Sequence, residues 1–453
     1  MLRLLLAALL VALVPAAARA ADPPHVLFLL ADDWRWDTLG CAGSVVRTPH
    51  LDALAKKGVR FTQCRVTTSI CCVSRATLLT GQHMARHGID RFGVAIPPAA
   101  WAQTYPALLR AAGYHTGFVG KFGVGKLAEK AFDFQRVYEG VHWMPDGKDK
   151  AEKVHVTVKN ERDALAFLAA RPKDRPFALS VSFFAAHAED KAPEQYLPQP
   201  WSAKLYEGVT IPVPRTATDT HYKRLPPFLA TEVNEGRVRW RKRFDTPERF
   251  QTSMTNYYRL ATEADAVVGA LVAELRRQGV LESTLIVFAG DNGYFHAERG
   301  LADKWFPYEE ALRVPLIVCD PRLPPEKRGT TNDALVLNLD VAPTLLAAAG
   351  VRVPERVQGR DVAPLYLADV PPKWRDEFYY QHPVIIGKDR IPRSEAVVRR
   401  DIKYTTWPDF DFEELYDLRA DPAEERNLAG DAGRAGVLAE RRRALEVWRA
   451  AAK

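Results

Sequence analysis

Five stretches of this chain are apolar over the length of a β-strand, and each runs into polar residues. They are 25–30 (HVLFLL) before Asp32-Asp33, His115–Gly120 before Lys121, 177–184 before His187, 285–289 before Asp291-Asn292, and 314–319 before Asp320-Pro321. A strand covered on one face alternates apolar and polar residues. A near-continuous apolar run marks a strand covered on both faces, the usual state of a parallel sheet sandwiched by helices. Helical patterns lie between the runs, over 48–57, 74–80 and 247–278. In the last, Thr246 is the expected N-cap, Pro247 opens the helix and Gly279 stops it. The prediction is an α/β fold with a large doubly wound, mixed and mostly parallel sheet flanked by helices.

Ligands of such sheets bind at the carboxyl ends of the strands. Four of the runs deliver Asp32-Asp33, Lys121, His187 and Asp291-Asn292 to that edge. Asp-Asp or Asp-Asn-Gly alone would serve as a turn or a cap. Together they offer three carboxylates and an amide oxygen, hard ligands that suit Ca²⁺ or Mg²⁺ and not zinc. Three close carboxylates without a cation would also repel one another.

Residues 21–364 are expected to form the catalytic domain. Within it, 190–245 is proline-rich and irregular, an expected substrate-loop insertion. From 365 to 453 the pattern shifts to short strands and a terminal helix, which predicts a smaller α+β subdomain with a short antiparallel sheet. Residues 1–20 carry Arg3, an apolar run and Ala18-Arg19-Ala20, the marks of a signal peptide. The expectation is an exported protein, periplasmic or secreted, without a membrane span. Removing Arg3 and Arg19 takes the formal charge from +7 to 7 − 2 = +5. That is a mild excess, and no basic tract with interleaved aromatics points to nucleic acid.

The cysteines stand at 41, 64, 71, 72 and 319, an odd number that flags a special thiol. Around two of them the segment 67–81 reads TTSICCVSRATLLTG. It resembles the signature of the type I sulfatase family, a C-x-P/A-S-R core followed by a helix ending in L-T-G. Other blocks follow in the family's order. They are 24–40 with its Asp pair, 113–121, 176–187, 288–293, Lys304 with Tyr308-Glu309-Glu310 and 313–318, and 414–428.

The resemblance implies an alkaline-phosphatase-like fold and sulfate ester hydrolysis, here of a sulfated small molecule or glycan. It implies that Cys71 is converted to formylglycine by a formylglycine-generating enzyme before folding, and that the hydrated aldehyde is the nucleophile. Asp32, Asp33, Asp291, Asn292 and the modified Cys71 would bind one Ca²⁺. Arg75 would hold the diol, Lys121 and Lys304 would contact sulfate oxygens, and His187 would protonate the leaving alcohol.

Three positions depart from the pattern. Val73 stands where the family has Pro or Ala. Gly123 replaces the histidine of its G-K-W-H block. Arg299 replaces the histidine of its E-H-G, with His296 nearby. A phosphodiester or phosphonate ester hydrolase on the same scaffold, or an inactive glycan-binding relative, are the alternatives.

Overall fold

A computed structural model describes residues 22–147 and 149–453. The expected signal peptide, 1–20, lies outside the described residues. In chain order the main sheet is built from β1 (His25–Ala31), β2 (Val59–Phe61), β3 (His115–Gly120), β4 (Phe134–Val137), β5 (Phe177–Ser182), β6 (Thr284–Gly290), β7 (Leu316–Cys319) and β8 (Thr330–Asn332). Their order across the sheet is β8-β2-β7-β6-β1-β5-β3-β4. β1 is central and parallel to both neighbours, with Val26 opposite Ala178 on one side and Leu285 on the other.

Alternation along the central strands explains their continuous apolarity. Leu27, Leu29, Leu179, Val181, Ile286 and Phe288 enter one core. Val26, Phe28, Leu30, Ala178, Leu285 and Val287 enter the core on the other face. Neither face meets water, so neither tolerates polar side chains. β7 differs from expectation, because it runs antiparallel to both β6 and β2. Its apolar run reports burial on both faces, which is independent of strand direction.

Three helices cover the first face: α1 (Pro49–Lys57), α3 (Val156–Ala170) and α4 (Pro247–Arg277). α2 (Cys71–Thr80) lies on the other, through Ala76, Leu78 and Leu79. α4 has the predicted ends. The Thr246 side chain accepts from the Arg249 N–H, and Gly279 follows with a left-handed φ of 71°. α2 starts three residues earlier than the pattern suggested, so the cysteine pair forms its first turn.

Four antiparallel strands follow in sequence order: β9 (Glu377–His382), β10 (Ser394–Arg399), β11 (Ile402–Trp407) and β12 (Phe412–Asp417). One face packs on the terminal helix α5 (Ala435–Ala451) through Tyr379, Val397, Tyr404, Leu438 and Leu445. The other, with Phe378, Tyr380, Val398 and Trp407, joins a core shared with Ile70, Phe306 and Leu337. At that seam Lys403 is fully buried, 2.8 Å from both Glu309 and Glu424. Within the proline-rich segment, Asp219–Lys223 and Glu235–Arg243 are helical. No helix of the described residues is long and apolar enough to cross a membrane.

Candidate active site

The ends of β1, β3 and β6 place Asp32-Asp33, Lys121 and Asp291-Asn292 on one edge. β5 brings His187 there through a five-residue extension, and Lys304 enters from beyond β6. Lys121 Nζ lies 2.5 Å from Asp32 Oδ2, and Lys304 Nζ contacts Asp33 Oδ1. Arg75 donates from Nε to Asp291 Oδ2 at 2.8 Å, and from Nη1 to the Lys121 carbonyl and Ser182 Oγ. Asn292 Nδ2 donates to Asp33 Oδ1 at 2.7 Å. Asp33 has a left-handed φ of 54°. Its N–H donates to Asp291 Oδ1 and its carbonyl accepts from the Tyr257 hydroxyl. A strained backbone held from several sides is common where a site must be pre-organised.

Lys121, Lys304 and Arg75 balance the three carboxylates charge for charge. Repulsion among the acids, the sequence argument for a metal, is therefore largely met by side chains. The stronger indication is different. Asp32 Oδ1, Asp33 Oδ2 and Asn292 Oδ1 are all buried without a hydrogen-bond donor. Orphaned oxygens in a dry interior cost about 1–3 kcal/mol each. A hard cation is the partner their chemistry fits. The ligand atoms of Asp32, Asp33 and His187 lie within 4.8 Å of one another.

Burial works against the charge of Asp32, but Lys121, His187, Arg75 and Lys304 outweigh it and hold its pKa below the usual carboxylate range. Burial raises Asp33 to about 6, against the pull of Lys304. It raises Asp291 to about 7, with Asp32 adding to the effect. Burial also raises the Cys71 thiol, although Lys121 and Lys304 pull the other way. An unmodified Cys71 is thus a poor thiolate nucleophile.

Cys71 is the first residue of α2, and Ile70 before it offers no capping side chain. Free N–H groups at a helix start favour an anion. Cys72 and Val73 point instead into the apolar core shared with β9–β11. His187 Nδ1 bonds to the Ala188 carbonyl at 2.7 Å, which leaves Nε2 facing Asp33 Oδ2 at 3.5 Å. Burial and Lys304 lower its pKa to about 3.

The departing positions now have surroundings. Gly123 has φ +73°, and a Cβ there would stand 2.8 Å from Arg75 Cδ. The glycine lets the chain pass against the arginine. Arg299 is buried and donates to the carbonyls of Ala423 and Glu424, tying the site side to the C-terminal region. The His296 ring packs on Tyr257 and Tyr294.

Several neighbours escaped sequence reasoning. Ser182 ends a strand and reads as a strand residue. Tyr257 lies mid-helix. His142, whose Nε2 is 3.0 Å from the His187 carbonyl, sits in an irregular stretch. The cleft above Cys71 and Lys121 is lined by Phe92, Lys126, Glu139 and Asp190. Of the proline-rich segment only Asp190 lines this cleft.

Residues 24–351 match the family model described as Sulfatase. Residues 297–451 match one described as N-sulphoglucosamine sulphohydrolase, C-terminal. The chain is 28% identical to the N-acetylglucosamine-6-O-sulfatase of Bacteroides thetaiotaomicron, covering 90% of this chain and 83% of that protein. A structure solved in complex with its substrate D-glucosamine-2-N,6-O-disulfate is similar at a TM-score of 0.78 and 25% identity, over 94% of this chain and 97% of that one. The phosphonate monoester hydrolase of Silicibacter pomeroyi aligns at a TM-score of 0.81 and 21% identity, over 95% and 96%. At that identity the likeness concerns the fold.

Proposed function

The chain belongs to the sulfatase family, and from that premise we propose that it hydrolyses the sulfate ester of a saccharide with a formylglycine at position 71 and one Ca²⁺. The observation that carries the proposal is the convergence of the helix-start Cys71, three orphaned oxygens on Asp32, Asp33 and Asn292, and the cations Lys121, Lys304 and Arg75. When present, the hydrated aldehyde supplies a hydroxyl nucleophile, and the cation lowers its pKa and polarises a sulfate oxygen.

The chain's own residues do the rest. Asp32, Asp33, Asp291 and Asn292 hold the cation. Arg75 is locked by Asp291, Ser182 and the Lys121 carbonyl, so its remaining donor Nη2 faces the site already oriented. Lys121 and Lys304 supply charge for the ester oxygens from buried positions, where such donors act most strongly. His187 keeps its Nδ1–H on a carbonyl, so Nε2 is its free ring nitrogen. It must first take up a proton, a step that the negative charge of the bound ester favours, and it then passes that proton to the departing oxygen. The saccharide assignment follows the relatives' names. The domain division at 364 and export through residues 1–20 belong to the same proposal.

Mass spectrometry of the Cys71 peptide, on protein made with a formylglycine-generating enzyme, is the test. Position 71 should be converted and Cys72 intact, and sulfate release should track the converted fraction. An unmodified thiol at 71 in fully active protein overturns the proposal. So does faster turnover of a phosphodiester or phosphonate ester than of an aryl sulfate.

A further inference from the structure

The cleft above the site has a volume of about 650 Å³. That lies within the range of small-ligand sites, roughly 300–1,000 Å³. Its inner end is cationic, with Lys121 at the bottom. Its rim is built differently. Phe92 is 55% exposed, a large apolar ring left at the mouth. Asp190 is pinned by contacts from Arg239 and from Arg243, whose Nη2 is 2.8 Å away. Arg243 is itself fully buried and tied to Asp303 and Tyr294, so the Asp190 carboxylate is held in place from behind. Glu139 and Lys126 are exposed at the rim and make no side-chain hydrogen bond or ion pair among the described residues, and Glu139 lies close enough to Arg75 to act on its charge.

The rim therefore offers an aromatic face, two carboxylates and one ammonium. A carboxylate only accepts hydrogen bonds, and a sugar hydroxyl or amide N–H can donate them. A second sulfate on the same ring can only accept, and it would meet Glu139 as a like charge, whereas the charge of Asp190 is offset by Arg239 and Arg243. Lys126 is a single counterweight on a flexible stem.

We propose that the rim selects a pyranose carrying a single sulfate: the ring lies on Phe92, its hydroxyl or amide groups donate to Glu139 and Asp190, and a second anion on the ring is disfavoured. This rests on the saccharide sulfatase reading above, and it adds the charge state of the substrate.

The experiment measures kcat/KM of the matured full chain. The substrates are a panel of singly sulfated pyranosides, each paired with its disulfated counterpart, and 4-nitrophenyl sulfate is run alongside. The best singly sulfated sugar should exceed its disulfated partner by about tenfold, the size of one charged contact. In Glu139→Gln that ratio should narrow, and in Glu139→Lys it should fall by about a further tenfold. A wild-type ratio at or below one overturns the inference, as does a ratio untouched in both variants. Turnover of 4-nitrophenyl sulfate with no saccharide turned over overturns it too and leaves the sulfatase reading standing. Failure on every sulfate ester, with Cys71 converted, removes both.

Discussion

At the scale of single residues, Gly123 shows where a family pattern and local geometry part. The family's histidine at this point invites a Gly123→His restoration. The structure argues against it, because φ is +73° and the new Cβ would press on the Arg75 side chain. A left-handed φ costs a branched or bulky residue of order 1 kcal/mol or more. Arg75 can yield only by leaving Asp291 or Ser182. Gly123→His is expected to lower kcat by at least about tenfold, with a small loss of melting temperature. Activity at or above the wild-type level would show that Arg75 has room. Asp32, Asp33, Lys121 and Asp291 were legible because each follows an apolar run that had to be a buried strand. The Ser182, Tyr257 and His142 contacts were not, because nothing in a serine, tyrosine or histidine tells which distant carbonyl or guanidinium it will meet. The orphaned oxygens were equally invisible, since they exist only once the donors are counted in space.

At the scale of elements, the ends of α4 and the extent of α1 could be read from the sequence, and what caps α1 could not. Thr48 occupies the N-cap position of α1, yet its side chain makes no capping bond. Its hydroxyl is used by Asp52 and the Gly40 N–H. The free N–H groups of His50 and Leu51 go instead to Asp265, buried on α4. One carboxylate thus caps a helix and fastens it to another. Asp265→Ala should cost about 2 kcal/mol and lower the melting temperature by a few degrees, with low-temperature sulfatase activity retained. An unchanged melting temperature would mean that water or Thr48 takes over the cap. Such a cap cannot be found by scanning, because its partners are over 200 residues apart. The direction of β7 was hidden for a related reason: apolarity records what lies above and below a strand, and not which way its neighbours run.

At the scale of the whole molecule, burial of histidines and burial of acids pull the pH dependence of stability in opposite directions. Burial is the first cause that lowers His25 and His83 to about 4, and His87, His155 and His382 to about 3. The unfolded chain takes up these protons below about 6.5 and the folded chain does not. Their stabilising contribution is therefore full above 6.5 and lost as pH falls. Glu263 and Asp265, raised to about 7 chiefly by burial, act in the opposite sense. Burial also raises Asp33, Asp291, Glu310, Asp361, Glu414 and Glu424, and lowers His115, His187 and His296, so the two opposing sets nearly offset. The melting temperature should change little between pH 6.5 and 5, and a shift of many degrees in either direction would refute the balance. The C-terminal antiparallel sheet and its terminal helix were legible from the short apolar stretches and the helical pattern that end the chain. The buried Lys403–Glu309–Glu424 seam was not, because charged residues read as surface until their partners are seen.

The central place of β1 also sets a timetable. Both strands that flank it follow Cys71 by more than a hundred residues, the second ending at Gly290. A ribosome must add about 220 residues after Cys71 before that strand can dock, roughly 10–45 s at common elongation rates. Until then the sheet cannot close, and the segment that becomes the first turn of α2 stays reachable. Once it closes, Cys71 is buried and the opportunity ends. On the proposed conversion of Cys71, the active fraction of a preparation is decided by a race before the sheet closes, so slowing translation or supplying more of the proposed formylglycine-generating enzyme should raise it, and treating the folded protein should not.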